Sequence, residues 1–520
     1  MLAASKQSRM SGGHDANLED KPHIFTSIYR ERRVVLISLF IAFAQFQWGY
    51  DLSAASGFQS IPGFLAVFGY VDPGTSTGYN LRTSVQTLIQ SFIQLGGLIA
   101  CIFIFKFGTA ISNRQGIWIG SVFSVVAAIL QITSTNLAAL YVGRILLGVS
   151  TGFYMTYSAT YMGEIAPTHV RGSIIGLATF QTSFGSLMGV LVDKFTTKYH
   201  SRTSYQIPLT VILAVSVTLA CGLVFLPESP RHYIRKNSEE KAKISIRMLR
   251  GTLNDAEVAA EVLEIKETWL MEMEMTDSVR LIDAFRAGNL KRTILSICCS
   301  IGQTGTGVVF FTSFSVYFYA DAGVSNQFLW IIVSQAVGLT GCMAGFFMMR
   351  FVERRTLLVV CSTINALIMI VIAAVYTRLS NNSYTAAQIL VAMGTLFNWV
   401  YGMGQGPVLW ALTVEIPAQH LRSKTVGLAT GGNYVVGWLA TYCTPYFINP
   451  SAMNWGPKYC YIWGASNFLI AVWAWFTIPN VNGQSLEEIT NSMTALNPGR
   501  DKGRKSRRED AQQLAEFDND

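Results

Sequence analysis

Long apolar runs separated by short polar breaks set the pattern of this chain. Twelve runs are long enough to cross a bilayer as helices, near 34–54, 84–105, 115–133, 137–160, 172–192, 206–226, 293–319, 327–349, 356–376, 385–409, 423–446 and 459–478. In lipid a segment of this length satisfies its backbone only as a helix, so all twelve are predicted helical. The charged stretch 227–292 divides them into two groups of six. Within it Ile244, Leu249, Val258, Val262, Ile265 and Trp269 recur at helical spacing, which predicts short amphipathic helices in a solvated linker. A polar tail, 1–33, precedes the first run and carries no apolar segment of the kind a secretory signal needs. A second tail, 479–520, contains KGRKSRRED, ends acidic and has the composition of a disordered segment beyond Leu496.

The two groups repeat each other's landmarks. Glu164-Ile165-Ala166-Pro167 leads to His169 and Arg171, and Glu415-Ile416-Pro417 leads to His420 and Arg422, at an offset of 251 residues. Pro227 of PESPR and Pro479 each close an apolar block, 252 residues apart. Repetition on this scale predicts two halves of similar build. The Glu and Arg of each turn are placed to pair across the halves at a membrane face.

Composition agrees with this pattern and adds an orientation. Of 520 residues, 51% are hydrophobic and 13% charged, whereas a soluble domain carries about 25% charged residues. The expectation is a monomeric multi-pass protein of the cell membrane. The net charge of +8 is no nucleic-acid signal, because the basic residues sit between apolar runs. Of 39 Lys and Arg, 32 fall on the inner side if the N-terminus is cytoplasmic, 6 on the outer side, and Arg144 within a run. The positive-inside rule therefore places both termini and 227–292 in the cytoplasm and the Gly/Ser/Thr-rich 55–83 outside. Asn381-Asn382-Ser383 is a glycosylation triplet on an outer loop. The eight Cys all lie in apolar runs, with neither a disulfide framework nor metal-ligand spacing. No catalytic constellation is visible, and neither a metal nor a cofactor is expected.

Asp51 and Arg144 are ionisable residues inside apolar runs, and such residues are functional candidates because their burial costs at least about 2.5 kcal/mol unless paired. A carboxylate and a guanidinium here read as a pair that protonation of Asp51 would open. Gly402, Gly404 and Gly406 before Pro407 predict a kinked or flexible tenth helix, suited to gating beside Trp410. Gly148 and Gly152, beside Arg144, are spaced for close helix packing.

Several motifs carry a resemblance. PESPR at 227–231, GYD at 49–51, GR at 143–144, EIAPxxxRG at 164–172, GPxxW at 406–410, EIPxxxxR at 415–422 and SLEEI at 485–489 together resemble the sugar porters of the major facilitator superfamily. FRAGNLKRT at 285–293 and FSVYFYADAG at 314–323 look most like the fungal α-glucoside, maltose-type branch. The resemblance spans about 34–490 and implies an all-α membrane fold of twelve helices in two pseudo-symmetric six-helix bundles. It implies a carrier working by alternating access on a sugar, either an α-glucoside or a hexose.

By the same resemblance, Asp51 and Arg144 match the Asp and Arg of proton-coupled members, where facilitative members usually carry Asn at the Asp position. Trp410 matches the sugar-stacking Trp. Asn433, Gln303 and Thr179 fall where the family places amides that bond sugar hydroxyls. Thr304 replaces the second Gln of the seventh span's pattern. Glu164, Arg171, Glu228, Arg231, Arg354, Arg355, Glu415 and Arg422 match the inner-gate charge network. The DRxGRR loop motif departs from the family: 109–114 reads TAISNR and 350–355 reads RFVERR, which bears on that network and on turnover. The reading is proton-coupled sugar uptake. Its rivals are a facilitative carrier or exporter of another polyhydroxylated metabolite and a sugar sensor that binds without transport. The short tail, with no recognisable interaction domain, weighs against the sensor.

Overall fold

Every apolar run predicted above is helical, and three of the runs are interrupted. The computed structural model describes residues 31–478 apart from 74–77, 109, 168–170, 200, 252–253, 277–280, 287–288, 322, 325, 380–383 and 418–420. The first run forms α1 (Arg32–Ile41) and α2 (Phe43–Phe58). The loop after it holds α3 (Pro62–Phe68) and a two-stranded ribbon, β1 (Tyr70–Val71) against β2 (Tyr79–Asn80), with Tyr70 opposite Asn80. Then come α4 (Thr83–Phe107), α5 (Asn113–Thr133), α6 (Leu137–Ile165), α7 (Arg171–Thr196) and α8 (Thr203–Phe225). The linker carries α9 (Pro230–Arg235), α10 (Glu239–Arg250) and α11 (Asp255–Thr276). The second group is α12 (Leu290–Gly305), α13 (Val308–Asp321), α14 (Gln327–Phe351), α15 (Arg354–Arg378), α16 (Tyr384–Val400), α17 (Gly406–Glu415), α18 (Arg422–Ile448) and α19 (Cys460–Thr477). Among the described residues, nine helices or helix pairs are long and apolar enough to cross a membrane by length and composition.

Local chemistry fixes several helix ends. At the start of α5, Ser112 Oγ accepts the Gln115 backbone N–H while the Gln115 side chain accepts from the Ser112 N–H, a reciprocal cap at 3.2 Å each way. Asn136 caps α6 by accepting from the Ala138 N–H at 3.0 Å. The seventh run breaks between α12 and α13 because Gly307 takes φ +87°, a left-handed conformation that suits glycine. The break leaves carbonyls unpaired in apolar surroundings, and α19 supplies donors: Ser466 Oγ to the Gly305 carbonyl at 2.6 Å and Asn467 Nδ2 to the Thr306 carbonyl at 2.8 Å. The tenth run, predicted kinked, is interrupted by one π-helical turn, Tyr401–Gln405, between α16 and α17.

The linker helices pack on themselves through Ile234, Ala242, Ile246, Val258 and Val262, with Ile265 and Trp269 at the edge. Ile244, predicted for the apolar face, is 54% exposed, and Ile246 takes its place. Leu249 joins Val34 of α1 in a second cluster, and Arg250 bridges Glu31 and Glu261. The linker is thereby docked under the first half.

The two halves meet along α4 with α18, α7 with α14 and α2 with α13. Hydrogen bonds between them gather at the end bearing residues 55–83, here the loop end. Ser56 Oγ accepts from the Val316 N–H at 3.2 Å, Gln90 Nε2 donates to the Ser313 carbonyl at 2.9 Å, and Asn449 Nδ2 donates to Gln86 at 2.8 Å. At the opposite, linker end Phe346 covers Gly176 and the Cys101 thiol donates to the Gly427 carbonyl at 3.6 Å.

Candidate functional site

The first half holds a buried ion pair. Arg144 on α6 donates from Nη1 to Asp51 Oδ1 on α2 at 3.1 Å, with both side chains at or below 1% exposed. The contact is a single bond. Asp51 Oδ2 and Arg144 Nε and Nη2 have no hydrogen-bond partner among the described residues. The Phe58 ring caps the guanidinium at 5.4 Å, so a cation–π contact stands where a second carboxylate bond would be. Desolvating two charges is costly, and a pair with unfilled donors recovers that cost only in part. Such a pair is held by its partners' charge, and it loses its reason to stay closed once the carboxylate takes a proton. Tyr50, next to Asp51, donates to the Pro208 carbonyl at 3.1 Å and so tethers α2 to α8.

The second half builds a neutral polar cluster around the broken helices. The Asn433 side-chain oxygen on α18 accepts from the Thr304 hydroxyl on α12. Beside it, the Gln303 side chain lies near the Tyr401 phenol of the π turn. The structure thus joins Gln303, Thr304, Asn433 and Tyr401 at one place. Trp410 lies half-buried on α17, one turn beyond Pro407. Thr179 is half-buried on α7, across the interface between the halves, and its carbonyl accepts the Ser183 hydroxyl at 3.2 Å. Behind this cluster, Gln405 is fully buried and central to an amide network. Its Nε2 donates to Asn467 Oδ1 at 2.7 Å and Ser362 Oγ at 3.0 Å, while its Oε1 accepts from Asn365 Nδ2 at 2.6 Å. The network ties the π turn to α15 and α19, and through Asn467 to the break in the seventh run.

The charged residues at the linker end find partners within their own halves. Glu164 accepts from Asn113 Nδ2 at 2.7 Å and from Arg235 at 3.5 Å. Glu228 Oε1 accepts the N–H groups of Arg114 and Ser229 at 3.3 and 3.1 Å, and Arg114 donates to the Leu226 carbonyl at 3.0 Å. The one Arg left in the first eroded loop motif thus still docks on PESPR. Arg231 lines a shallow surface recess with Arg235 and Trp269. Arg354 pairs with Glu415, and Arg355 lies over the Trp475 ring at 5.0 Å while donating to its carbonyl. Arg422 opens α18 with its Nε buried and without a partner among the described residues. Arg171 opens α7. Among the described residues, Glu164 is held by Asn113 and the linker's Arg235, and Glu415 by Arg354; the Arg171 side chain, expected from the repeat to pair across the halves, lies outside them. Asn381, His169 and His420 lie outside the described residues.

Sequence reasoning missed three residues, Tyr401, Gln405 and Asp193, and gave too little weight to a fourth. Tyr401 and Gln405 sit in the glycine-rich tenth run, where attention fell on the backbone rather than on the polar side chains. Thr304 was named only as a replacement. Asp193 lies one residue past the predicted end of the fifth run, yet α7 continues to Thr196 and buries it completely. An ionisable residue that close to an apolar run was the available signal.

Paired halves, a buried charge pair and helices broken around a polar cluster make up a membrane fold of the major facilitator kind. The pattern of the sugar (and other) transporter family matches residues 37–493, and the chain belongs to that family. It is an integral, multi-pass membrane protein. It is 29% identical over 465 residues to the high glucose sensor RGT2 of Saccharomyces cerevisiae, covering 88% of this chain and 60% of that longer protein. It is 25% identical over 474 residues to the maltose permease MAL31 of the same yeast, covering 90% of this chain and 76% of the permease. Among solved structures, the xylose transporter XylE from E. coli, in a partially occluded inward open conformation, matches with a TM-score of 0.70 at 18% identity, covering 87% of this chain and 100% of that one. At that identity the likeness is one of fold.

Proposed function

We propose that this protein takes up a sugar, an α-glucoside or a hexose, together with protons, by alternating access between two six-helix bundles (34–226 and 293–478). Residues 227–292 are then a cytoplasmic linker, both termini are cytoplasmic, and the membrane is that of the cell surface. The observation carrying the proton step is the Asp51–Arg144 pair, a single 3.1 Å bond between two wholly buried charges. In this reading a proton reaching Asp51 neutralises it and releases Arg144. The freed guanidinium favours a different arrangement of α2 and α6, and deprotonation on the other side resets the pair. Sugar hydroxyls bond Gln303, Asn433 and Thr179, and the ring stacks on Trp410. The π turn and the break at Gly307 let helix segments move without unsealing their neighbours. The gate comprises Glu164, Arg171, Glu228 and Arg231 in one half and Arg354, Arg355, Glu415 and Arg422 in the other. A proton entering with the sugar carries one charge through the membrane potential, about 2.3 kcal/mol per 100 mV. That drives a neutral sugar roughly 50-fold uphill, since about 1.4 kcal/mol is tenfold.

The test is sugar-induced alkalinisation outside proteoliposomes, wild type against Asp51→Asn. The wild type should take up protons with maltose or glucose. The variant should bind and exchange sugar, yet neither move protons nor concentrate sugar. Proton movement absent from the wild type would leave a facilitative carrier. The similarity to a glucose sensor supports a second reading, a receptor that binds sugar and signals. Binding without any flux of labelled sugar in the same vesicles would favour it.

A further inference from the structure

The interface of α2 with α7 is built from small residues and ends on a carboxylate. Gly49, Ser53 and Gly57 follow one another at four-residue steps on α2, and Gly185, Gly189 and Asp193 do so on α7. A Cβ on Gly185 would strike the Phe46 carbonyl, and one on Gly189 would crowd the Tyr50 carbonyl. Ser186 Oγ donates to the Gly49 carbonyl across the same seam at 3.1 Å. At its loop end the seam closes on Asp193, whose carboxylate occupies the space that a Cβ on Gly57 would fill. Asp193 is 0% exposed, and neither of its oxygens has a hydrogen-bond or ion-pair partner among the described residues.

Among the described residues, no positive charge is paired with Asp193. On α2, Tyr50 is adjacent to Asp51, and its hydroxyl is given to the Pro208 carbonyl. Asp51 is itself a carboxyl group and is bonded to Arg144 of α6. On α8, Tyr205 is buried among Phe64 and Phe68, and Arg202 stands exposed just ahead of that helix. On α7 itself, Lys194 and Lys198 follow Asp193 towards the rim. α14 meets α7 nearer the linker end, where Phe346 covers Gly176 and the Cys342 thiol reaches Ser183. An isolated carboxylate in such surroundings is strongly disfavoured, whereas the neutral acid is tolerated.

We propose that Asp193 is a second proton-binding site, filled when Gly57 of α2 closes over it and emptied when that contact opens. On closure the carboxylate takes a proton from hydronium at the loop end, forming one O–H bond as the hydronium O–H breaks and leaves water, and on reopening the proton returns to water as hydronium. No other reactant is involved. Closure of the loop end thereby becomes favoured by acid. Asp51 changes partner when it takes a proton, whereas Asp193 has no partner to change and reports only on whether the seam is shut. The proposal does not rest on sugar symport and holds equally for a facilitative carrier or a sensor.

Infrared spectroscopy of the full-length protein in lipid, labelled with 13C at the aspartate carboxyls, reads the site directly. At neutral pH the wild type should show the carbonyl stretch of a protonated, buried aspartic acid. Asp193→Asn should remove that band, and Asp51→Asn, which leaves the Asp193 carboxyl in place, should keep it. Gly57→Ala, which forces a methyl against the carboxyl, should open the seam and move the band's titration midpoint to lower pH. If the wild type has no such band, the site is ionised and the proposal fails without recourse to any variant. A band that persists in Asp193→Asn, or a midpoint unmoved in Gly57→Ala, overturns it as well. Loss of proton-driven uptake in Asp51→Asn with the Asp193 band intact keeps this result separate from the symport test.

Discussion

The two halves of this molecule have different polar centres, although the first also buries amides such as Gln45 and Gln47. The first half buries charge: Asp51 and Arg144 share one bond and leave three polar atoms unfilled among the described residues. The second half buries neutral amides: Gln405 makes three bonds, to Asn365, Ser362 and Asn467, and Asn467 in turn holds the carbonyl freed by the helix break. A charged pair is switched by a single proton. An amide network is indifferent to pH in the physiological range and holds a distorted backbone in place. A repeated framework has thus been filled with a titratable element on one side and a mechanical one on the other. Under the proposed function, the proton and sugar steps would sit in separate halves.

Breaking the charged side should have the largest effect. Arg144→Leu strands Asp51 in an apolar core, and removing one member of a buried pair costs about 3–5 kcal/mol. The purified variant should melt far below the wild type and carry no sugar. Adding Asp51→Asn should recover most of the lost stability, because the stranded charge is then gone. A double variant as unstable as the single would mean that the pair is not the energetic unit.

On the amide side, Gln405→Leu leaves Asn365 and Asn467 each short of a partner, at about 1–3 kcal/mol per orphaned group. Melting should fall at every pH from mildly acid to mildly alkaline, without the pH dependence expected of an Asp51 variant. Wild-type melting would remove the mechanical role assigned to the network. The sugar contacts come next. Trp410→Ala and Asn433→Ala should each weaken equilibrium sugar binding by about 5- to 150-fold, equivalent to about 1–3 kcal/mol, with membrane insertion unchanged. Unaltered affinity in both would move the pocket elsewhere. The smallest effect belongs to the partly exposed Arg354–Glu415 pair, with side chains 28% and 31% accessible. Glu415→Gln should shift melting by no more than about 1 kcal/mol, and by less at high salt. A larger loss would mark this gate pair as a third buried charge centre.

Much of this architecture could be read directly from the chain. Twelve apolar runs predicted the helices because a bilayer demands apolar length and a self-satisfied backbone, and both requirements are written in local composition. The 251-residue offset between the EIAP and EIPA turns announced the repeat. Asp51 and Arg144 were visible as charges out of place, and Gly402 to Pro407 as a place where a helix would not run straight. The linker helices were legible from their period, although Ile244 and Ile246 exchanged roles because a two-residue shift on a short helix moves a side chain to the far face.

Partnership was what the tertiary structure decided. Sequence fixed which residues were ionisable or amide-bearing, since those are local chemical facts. It left open that Glu164 would meet Asn113 and Arg235, that Gln405 would reach Asn365 and Asn467, and that the Thr304 hydroxyl would meet Asn433. Each of these contacts joins different elements, 40 to 129 residues apart, and their relative rotation and height come from packing across the whole bundle. Asp193 is the sharpest case. Its carboxyl stands at the end of a helix that ought to have reached water. Only the close approach allowed by Gly57, itself set by Gly49, Gly185 and Gly189 lower in the same seam, seals it away.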